Sequence, residues 1–384
     1  MLFNSFQYLV FLPLVVAIYY LLPQKWRWVL LLAASYYFYM VWNAKYIILI
    51  VASTLIDYFA SLMMEKQDTK RKRRMFLLLS LLTNLGLLFV FKYFNFFSDA
   101  YNQLMDVLFH RGQGAYSLNI LLPMGISFYT FQTLSYTIDV YRGVRPAEKH
   151  LGYFALYVSF FPQLVAGPIE RSERLLPQFK VKHRLTYEEF LQAVMRIMWG
   201  FFKKVVIADR VAVLVNTVYN DVYSYDGIYL YLATLGFAVQ IYCDFSAYSD
   251  IAIGSARLLG IGLMENFKMP YFSRSVSEFW SRWHISLSTW FRDYLYIPLG
   301  GNRNKRAWMT YRNILIVFVL SGLWHGANWT FILWGLMHGL ILVVEKLMER
   351  GRRVHPESLL SRIKIPSAIH QLLTFVFVSL TWVL

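Results

Sequence analysis

The stretch Leu320-Ser-Gly-Leu-Trp-His-Gly-Ala-Asn-Trp329 lies inside a run, 313–344, that contains no Asp, Glu, Lys or Arg. A run of this length predicts membrane-spanning helix, because one span needs about 20 apolar residues. His325 lies near the middle of the run, and a titratable side chain at membrane depth marks a candidate functional site. Gly322 and Gly326 flank it and favour a helix break, which a membrane tolerates where protein or a water-filled cavity satisfies the backbone. The pattern predicts a reaction centre around His325, at the bottom of a cavity.

A second interpretation of this histidine stays open at this point. A lone His in a helical bundle is often a packing residue that forms a hydrogen bond with a neighbouring helix. The rest of the chain supplies the context that separates the two interpretations.

Composition identifies an all-α polytopic membrane protein. Of 384 residues, 58% are hydrophobic and only 16% are charged, whereas soluble domains carry about 25% charged residues. The net charge of +16 does not indicate nucleic acid, because the basic residues lie in short connections between apolar runs, as the positive-inside rule requires. The single cysteine, Cys243, excludes an intramolecular disulfide and a Cys-rich metal site; we expect it to pack, although it could be a nucleophile.

The apolar runs predict ten or so membrane segments, several of them short or re-entrant. They lie at 2–24, 28–44, 46–64, 75–91, 112–138, 151–169, 190–220, 227–243, 313–344 and 366–384. The basic residues within 190–220 make that run amphipathic. We expect 112–138 and 313–344 each to hold two segments, with the break in the first at Pro123 and Gly125.

Residues 1–384 form a single predicted integral-membrane domain, since neither a linker nor a tandem repeat divides them. The chain stops within an apolar run without flanking charges, so we expect a C-terminally truncated version of a longer protein. A basic cluster at 66–74 is predicted to be cytoplasmic, which places the N-terminus outside after three spans.

The segment 279–301 is dense in tryptophan and arginine. Read as one helix, it carries an apolar face with Arg282 and Ser286 on another side; the residues of that face are Trp280, Trp283, Leu287, Trp290, Phe291 and Tyr294. This pattern favours an interfacial amphipathic helix. The alternative interpretation directs His284 into the protein as a second polar group.

Four stretches together resemble the membrane-bound O-acyltransferase (MBOAT) family, in its bacterial branch of alginate and other polysaccharide O-acetylation proteins. They are Gln163–Arg171, Tyr242–Gly254, Phe279–Gly301 and Leu320–Trp329. The resemblance covers essentially the whole chain. It implies a ring of about ten or more helices, some short or re-entrant, around a central tunnel. It also implies that His325 and His284 are the family's two catalytic-site histidines.

The chemistry suits those histidines. Moving an acyl group from a thioester to a hydroxyl requires removal of the hydroxyl proton, and neutral imidazole is a good base for that step. The sequence holds no Gly-x-Ser-x-Gly elbow, so we expect direct transfer aided by His325. Trp324 and Asn328 are candidate substrate-binding residues, although Trp324 equally fits a packing role.

Several charged groups remain to be assigned. The intramembrane carboxylates Asp57, Asp139, Asp244 and Asp250 are expected to be structural staples rather than catalytic groups. Arg171 and Arg174 could bind donor phosphates or simply face solvent. A further set of basic residues is predicted to face the cytoplasm and attract an anionic donor, with Arg292 and Arg303 as its main candidates: Arg274, Arg282, Arg292, Arg303, Lys305 and Arg306.

The leading hypothesis is a multi-pass O-acyltransferase of the bacterial inner membrane. Its donor would be cytoplasmic acetyl-CoA or another acyl-CoA, with no bound cofactor or metal. The acceptor would be an extracellular or cell-wall polysaccharide, alginate-like or peptidoglycan, or an SGNH-type acetyltransferase partner outside the membrane. The alternatives are a transporter of the acyl group or of a lipid-linked sugar, for which internal repeats are expected, and a non-catalytic scaffold of a polysaccharide synthesis complex.

Overall fold

The computed structural model describes residues 1–109, 117–118, 120–165, 167–303, 306–354 and 366–384. These residues form helices and no strand. The helices are α1 (Phe6–Leu21), α2 (Gln24–Asn43), α3 (Ile47–Glu65), α4 (Lys70–Leu88), α5 (Phe94–Phe109), α6 (Ile126–Arg142), α7 (Leu151–Ser159), α8 (Phe161–Leu164), α9 (Ser172–Lys180), α10 (Tyr187–Phe201), α11 (Asp209–Tyr219), α12 (Gly227–Leu258), α13 (Val276–Arg282), α14 (Ile285–Phe291), α15 (Ala307–His325), α16 (Trp329–Val354) and α17 (Ser367–Thr381). The predicted all-α fold class is confirmed.

Five continuous helical stretches within the described residues are long and apolar enough to cross a membrane. They are Gln24–Glu65, Lys70–Phe109, Gly227–Leu258, Ala307–His325 and Trp329–Val354. The first two contain 42 and 40 residues: the first joins α2 to α3 through a 3₁₀ turn that follows extended Asn43, and the second joins α4 to α5 through a π-helical turn. The protein is therefore an integral membrane protein.

Most apolar runs correspond to helices. The prediction missed α5, because Asp99 and Asp106 interrupt its apolar pattern. In the run 112–138, the break predicted at Gly125 is confirmed: this residue has φ 74° and α6 begins directly after it. Residues 112–116 and 119 lie outside the described residues, so a second segment in that run stays a prediction.

The chain divides into two compact units, residues 1–199 with 248–264, and residues 200–247 with 265–384. The first unit packs α3 against α4 and α6 around a buried polar group. The carboxylate of Asp57 accepts hydrogen bonds from the Ser80 hydroxyl at 2.5 Å and from the Asn84 amide at 2.9 Å. The expected staple role of Asp57 fits this geometry, since its partners lie on α4, the helix next in sequence.

The second unit contains the helical hairpin of α15 and α16, with α13, α14 and α17 against it. Its apolar core is unusually rich in tryptophan, and the buried members are Val276, Phe279, Trp280, Trp283, Trp334 and Val378. Phe279, Trp280 and Trp283 belong to the segment predicted as an interfacial helix, so that segment is instead part of the core of this unit.

Candidate active site

His325 is the last residue of α15, where the helix ends and the chain turns into α16. Gly326 follows with extended backbone (φ −161°, ψ 147°). A side chain at this glycine would have its Cβ only 2.0 Å from the ring of Phe331. The two helical segments predicted for 313–344 are thus confirmed, and the break lies immediately after the histidine. The His325 side chain is half-buried.

Gly322 serves a different purpose from the helix break that its sequence context suggested. It lies within α15, and a Cβ there would be 2.1 Å from the backbone oxygen of Phe331 and 3.2 Å from the Cα of Gly335. A Cβ built on Gly335 would in turn lie 2.2 Å from the backbone oxygen of Phe318. The two glycines let the backbones of α15 and α16 touch, and this crossing fixes the hairpin that carries His325.

His284 lies between α13 and α14 in a left-handed conformation, φ 45° and ψ 54°. Left-handed backbone is uncommon for a non-glycine residue and costs of order 1 kcal/mol or more. Asn266 stabilises the break: its backbone oxygen accepts from the N–H of Ile285 at 3.0 Å, and its side-chain oxygen accepts from the N–H of Ser286 at 3.2 Å. The single continuous helix predicted here is therefore wrong, because a left-handed histidine interrupts it.

The His284 side chain is directed into the protein and only 1% exposed, as the alternative interpretation predicted. Its imidazole meets the ring of Phe245 edge to face at 4.6 Å. Burial, with a smaller contribution from the neighbouring His325, holds the pKa of His284 well below its usual range. The imidazole is consequently neutral at physiological pH. Ser286, predicted on a polar side with Arg282, is also buried.

Trp324 joins the two histidines. Its ring centroid is 6.1 Å from that of His284 and 5.0 Å from that of His325. The side chain is 7% exposed. The structure thus brings together the two histidines that the sequence singled out, with Trp324 between them.

His338 is a histidine that the sequence analysis did not single out, although it lies in the same uncharged run. It is fully buried, and its Nδ1 accepts a hydrogen bond from the indole N–H of Trp280 at 3.2 Å. This assigns the proton to Nε2, which donates to the Thr381 hydroxyl at 3.0 Å. That hydroxyl donates onward to the backbone oxygen of Val378 at 2.9 Å. His338 is thus the satisfied packing histidine of the run, with a hydrogen-bond partner on each ring nitrogen.

Trp334 connects His338 to His325. Its ring lies 5.1 Å from the His325 ring at 83° and 4.9 Å from the His338 ring. Sequence reasoning also missed this residue, since a tryptophan in an apolar helix carries no signal that separates site from core.

The other predicted substrate-binding residues have mixed placements. Asn328 is exposed and caps α16, with its side-chain oxygen accepting from the Thr330 N–H at 3.2 Å. Arg292 lines a large cavity and pairs with Asp293 at 2.8 Å. Arg303 is exposed and does not line that cavity. Lys305 lies outside the described residues.

The cavity has a volume of about 1090 Å³ and lies within the second unit. Its apolar wall includes Trp280 and Phe318, and its basic residues are Arg274, Arg292, Lys346, Arg352 and Arg353. Neither His284 nor His325 lines it. Ser321, one helical turn before His325, does, so the cavity approaches the histidine along α15.

Glu345 fixes the wall of this cavity. Its two carboxylate oxygens accept from the backbone N–H groups of Val276 and Ser277 at 2.7 and 3.0 Å. These N–H groups begin α13 and have no partner within the helix, so a carboxylate there is favourable. The Glu345 carboxylate thereby anchors α13, which carries Trp280, to α16.

The remaining intramembrane carboxylates of the Tyr242–Gly254 motif are paired. Asp244 forms an ion pair with Lys204 at 2.6 Å in the second unit. Asp250 forms one with Arg196 at 2.9 Å in the first unit. This geometry fits the expected staple role. Cys243 is a buried thiol, as expected for a packing residue.

The Gln163–Arg171 motif contains a buried acid. Glu170 has a fully buried side chain, accepts a short hydrogen bond from the Met264 N–H and lies 3.9 Å from Arg174. Burial raises the pKa of Glu170 to about 7, although the Met264 amide, Arg174 and Arg171 oppose that rise. Arg174, one of the two predicted phosphate-binding arginines, therefore lies beside a carboxylate.

The arrangement defines a helical membrane protein with an imidazole at a helix end, flanked by two tryptophans and approached by a basic cavity. Comparison with known proteins gives the class. The model of the MBOAT, membrane-bound O-acyltransferase family matches residues 148–384. The chain belongs to this family and is an O-acyltransferase.

Relatives from three bacteria are similar over much of the chain. A probable alginate O-acetylase of Pseudomonas syringae pv. tomato is 43% identical over 100% of this chain and 72% of its own length. A peptidoglycan O-acetyltransferase of Helicobacter pylori is 36% identical over 94% of this chain and 71% of its own length. A teichoic acid D-alanyltransferase of Bacillus subtilis is 28% identical over 61% of this chain and 62% of its own length.

Proposed function

We propose that the protein transfers acetyl groups from cytoplasmic acetyl-CoA for O-acetylation of an extracellular or cell-wall polysaccharide. The names of the alginate and peptidoglycan relatives support this substrate class. The observation that carries the donor assignment is the basic cavity that reaches Ser321, one helical turn before His325. The cavity's volume of about 1090 Å³ is slightly above the roughly 300–1,000 Å³ common for small-molecule sites, which suits a donor as large as CoA.

The polarity of the hairpin supports opposite entry of donor and acceptor. The basic residues Arg352 and Arg353 end α16 and Arg306 precedes α15, so the positive-inside rule assigns this end of the hairpin to the cytoplasm. The turn at 325–328 lies at the other end, about 28 Å away along a 19-residue helix. We infer that CoA enters at the basic end and that the acceptor meets His325 from outside.

In the proposed reaction His325 accepts the proton of the attacking hydroxyl. His325 lies at the helix end with a half-buried side chain whose Nε2 is buried, and the rings of Trp324 and Trp334 flank it. His284 positions Trp324 and does not line the donor cavity. An SGNH-type acetyltransferase or the glycan itself would supply the hydroxyl. The location would be the inner membrane, with the N-terminus outside.

Transport of the acyl group without bond chemistry and a scaffold role are the alternatives. The scaffold role predicts that replacement of His325 leaves acetylation intact. The transporter predicts an internal repeat, and the sequence has none.

Acetyl-CoA binding to purified protein in neutral detergent tests the donor site. Arg292→Gln is expected to weaken binding, because Arg292 lines the cavity, whereas Arg303→Gln is the matched control on the same connection outside it. Added salt should weaken wild-type binding, since it screens the attraction of the exposed cations for phosphate. Equal affinities of wild type and both variants, or no saturable binding, would reject this donor site.

A further inference from the structure

Trp334 is held beside His325 by the crossing of α15 and α16. Gly335, the next residue, lies against Gly322, and this contact brings the indole to the imidazole with ring centroids 5.1 Å apart. The rings meet edge to face at 83°. Trp334 is 4% exposed, so its ring forms part of the dry wall around the half-buried histidine.

The indole N–H of Trp334 is buried and has no hydrogen-bond partner among the residues that the structure describes. The adjacent Trp280 differs, because its N–H donates to His338. Tryptophan N–H groups usually find an acceptor when they are buried. A buried donor without one costs free energy in the resting protein, and a phenyl ring in the same place would avoid that cost.

The neighbours of Trp334 hold the ring in one orientation. It stacks on Trp382 at 5.6 Å and 24°, and meets Trp280 at 5.6 Å and 76°. Since His338 locks Trp280 by a hydrogen bond, the wall cannot rotate freely. A fixed donor in a water-excluded site stabilises developing negative charge well, because no reorganisation is needed during the reaction.

We propose that the Trp334 indole N–H binds the carbonyl oxygen of the acyl group presented to His325 and stabilises the negative charge that develops on it. Trp334 is then a catalytic residue, and this assignment rests on the proposed function. The acceptor hydroxyl oxygen forms a bond to the carbonyl carbon and gives its proton to His325. The carbon–sulfur bond then breaks, and the departing CoA thiolate takes that proton.

Trp334→Phe removes the N–H and keeps an aromatic ring, and Trp382→Phe is the matched control in the same stack. In washed membranes with equal amounts of each protein, transfer from radiolabelled acetyl-CoA to polysaccharide is measured as donor concentration varies. Trp334→Phe should lower kcat roughly 10²–10³-fold, the usual loss when one such donor is removed. KM should rise by no more than the factor by which wild type prefers a carbonyl-bearing donor, thermal stability should be preserved, and Trp382→Phe should retain most of kcat.

Two unreactive donors test the carbonyl contact directly in purified protein. One is the ketone analogue of acetyl-CoA in which CH2 replaces sulfur, and the other is S-ethyl-CoA, which lacks the carbonyl oxygen. Wild type and Trp382→Phe should bind the ketone more tightly than the thioether, and Trp334→Phe should lose that preference. Should Trp334→Phe fail to fold, benzothienylalanine at position 334 replaces the N–H by sulfur in a ring of the same shape.

The outcomes separate this inference from the function on which it rests. Wild-type acetyl transfer together with equal kcat and equal ketone preference in the two variants would overturn the role of Trp334 and leave the proposed function standing. A wild-type protein that neither binds acetyl-CoA nor transfers acetyl would overturn both.

Discussion

The contact between α15 and α16 is the feature on which the position of His325 depends most, and Gly335→Ala tests it. The added Cβ would lie 2.2 Å from the Phe318 backbone oxygen, whereas real Cβ atoms essentially never come closer than 3.0 Å. The helices would have to separate locally by about 0.8 Å. The clashing atom is backbone, so no side-chain rotation relieves it.

This overpacking should destabilise the protein by about 1–3 kcal/mol. It should also lower acetyl transfer more than stability alone explains, because an error of about 1 Å in the position of a catalytic group can cost ~10²-fold in rate. Gly86→Ala is the control: no atom lies within 4 Å of its Cβ, and alanine favours a helix by up to about 1 kcal/mol.

The assay compares thermal unfolding in detergent and acetyl transfer for the two variants. We expect a lower unfolding temperature and reduced transfer for Gly335→Ala, with neither change for Gly86→Ala. Equal stability and equal transfer in both variants would refute the close crossing as the support of His325.

Three further predictions concern other parts of the chain. His284→Ala should reduce transfer less than His325→Ala and leave acetyl-CoA binding unchanged, because His284 acts through a neighbouring ring; equal loss in both variants would contradict this. The raised pKa of Glu170 means that the folded state holds its proton more tightly than the unfolded state. Stability should therefore fall as pH rises from about 4.5 to about 7, and Glu170→Gln should flatten that part of the profile measured by thermal unfolding. Lys70→Cys, made after replacement of Cys243, should react with an impermeant maleimide only in opened cells, and labelling of intact cells would invert the topology.

The helical hairpin and its histidine can be predicted from the sequence, because an absence of charged residues marks both. The run 313–344 lacks charged residues, so the only titratable side chains in it, His325 and His338, stand out against the apolar background. Which of the two is a packing residue depends on partners from α13 and α17, far away in sequence. The hydrogen bonds of His338 to Trp280 and Thr381 could not be read from one helix.

Two predictions, for Gly322 and for the segment 279–301, are wrong because contacts between distant parts of the chain decide both. The sequence context of Gly322 suggests a helix breaker. A glycine that lets a second helix pack closely against it, however, has the same sequence pattern as a glycine that ends its own helix. The periodicity of 279–301 favoured one helix, since nothing local shows that His284 adopts φ 45°. That conformation is imposed by Asn266, whose backbone and side-chain oxygens cap the next helix.

If His325 performs the acyl-transfer chemistry, its replacement by alanine must nearly abolish polysaccharide acetylation in a protein that still folds. Wild type and variant are produced in equal amounts, and detergent extracts are checked for the same thermal unfolding. Acetyl content of the polysaccharide is then measured over time. The rate of acetylation by the variant should be lower by about 10²–10⁴-fold, the usual contribution of a general base. Near-normal acetylation by the folded variant would contradict this role of His325.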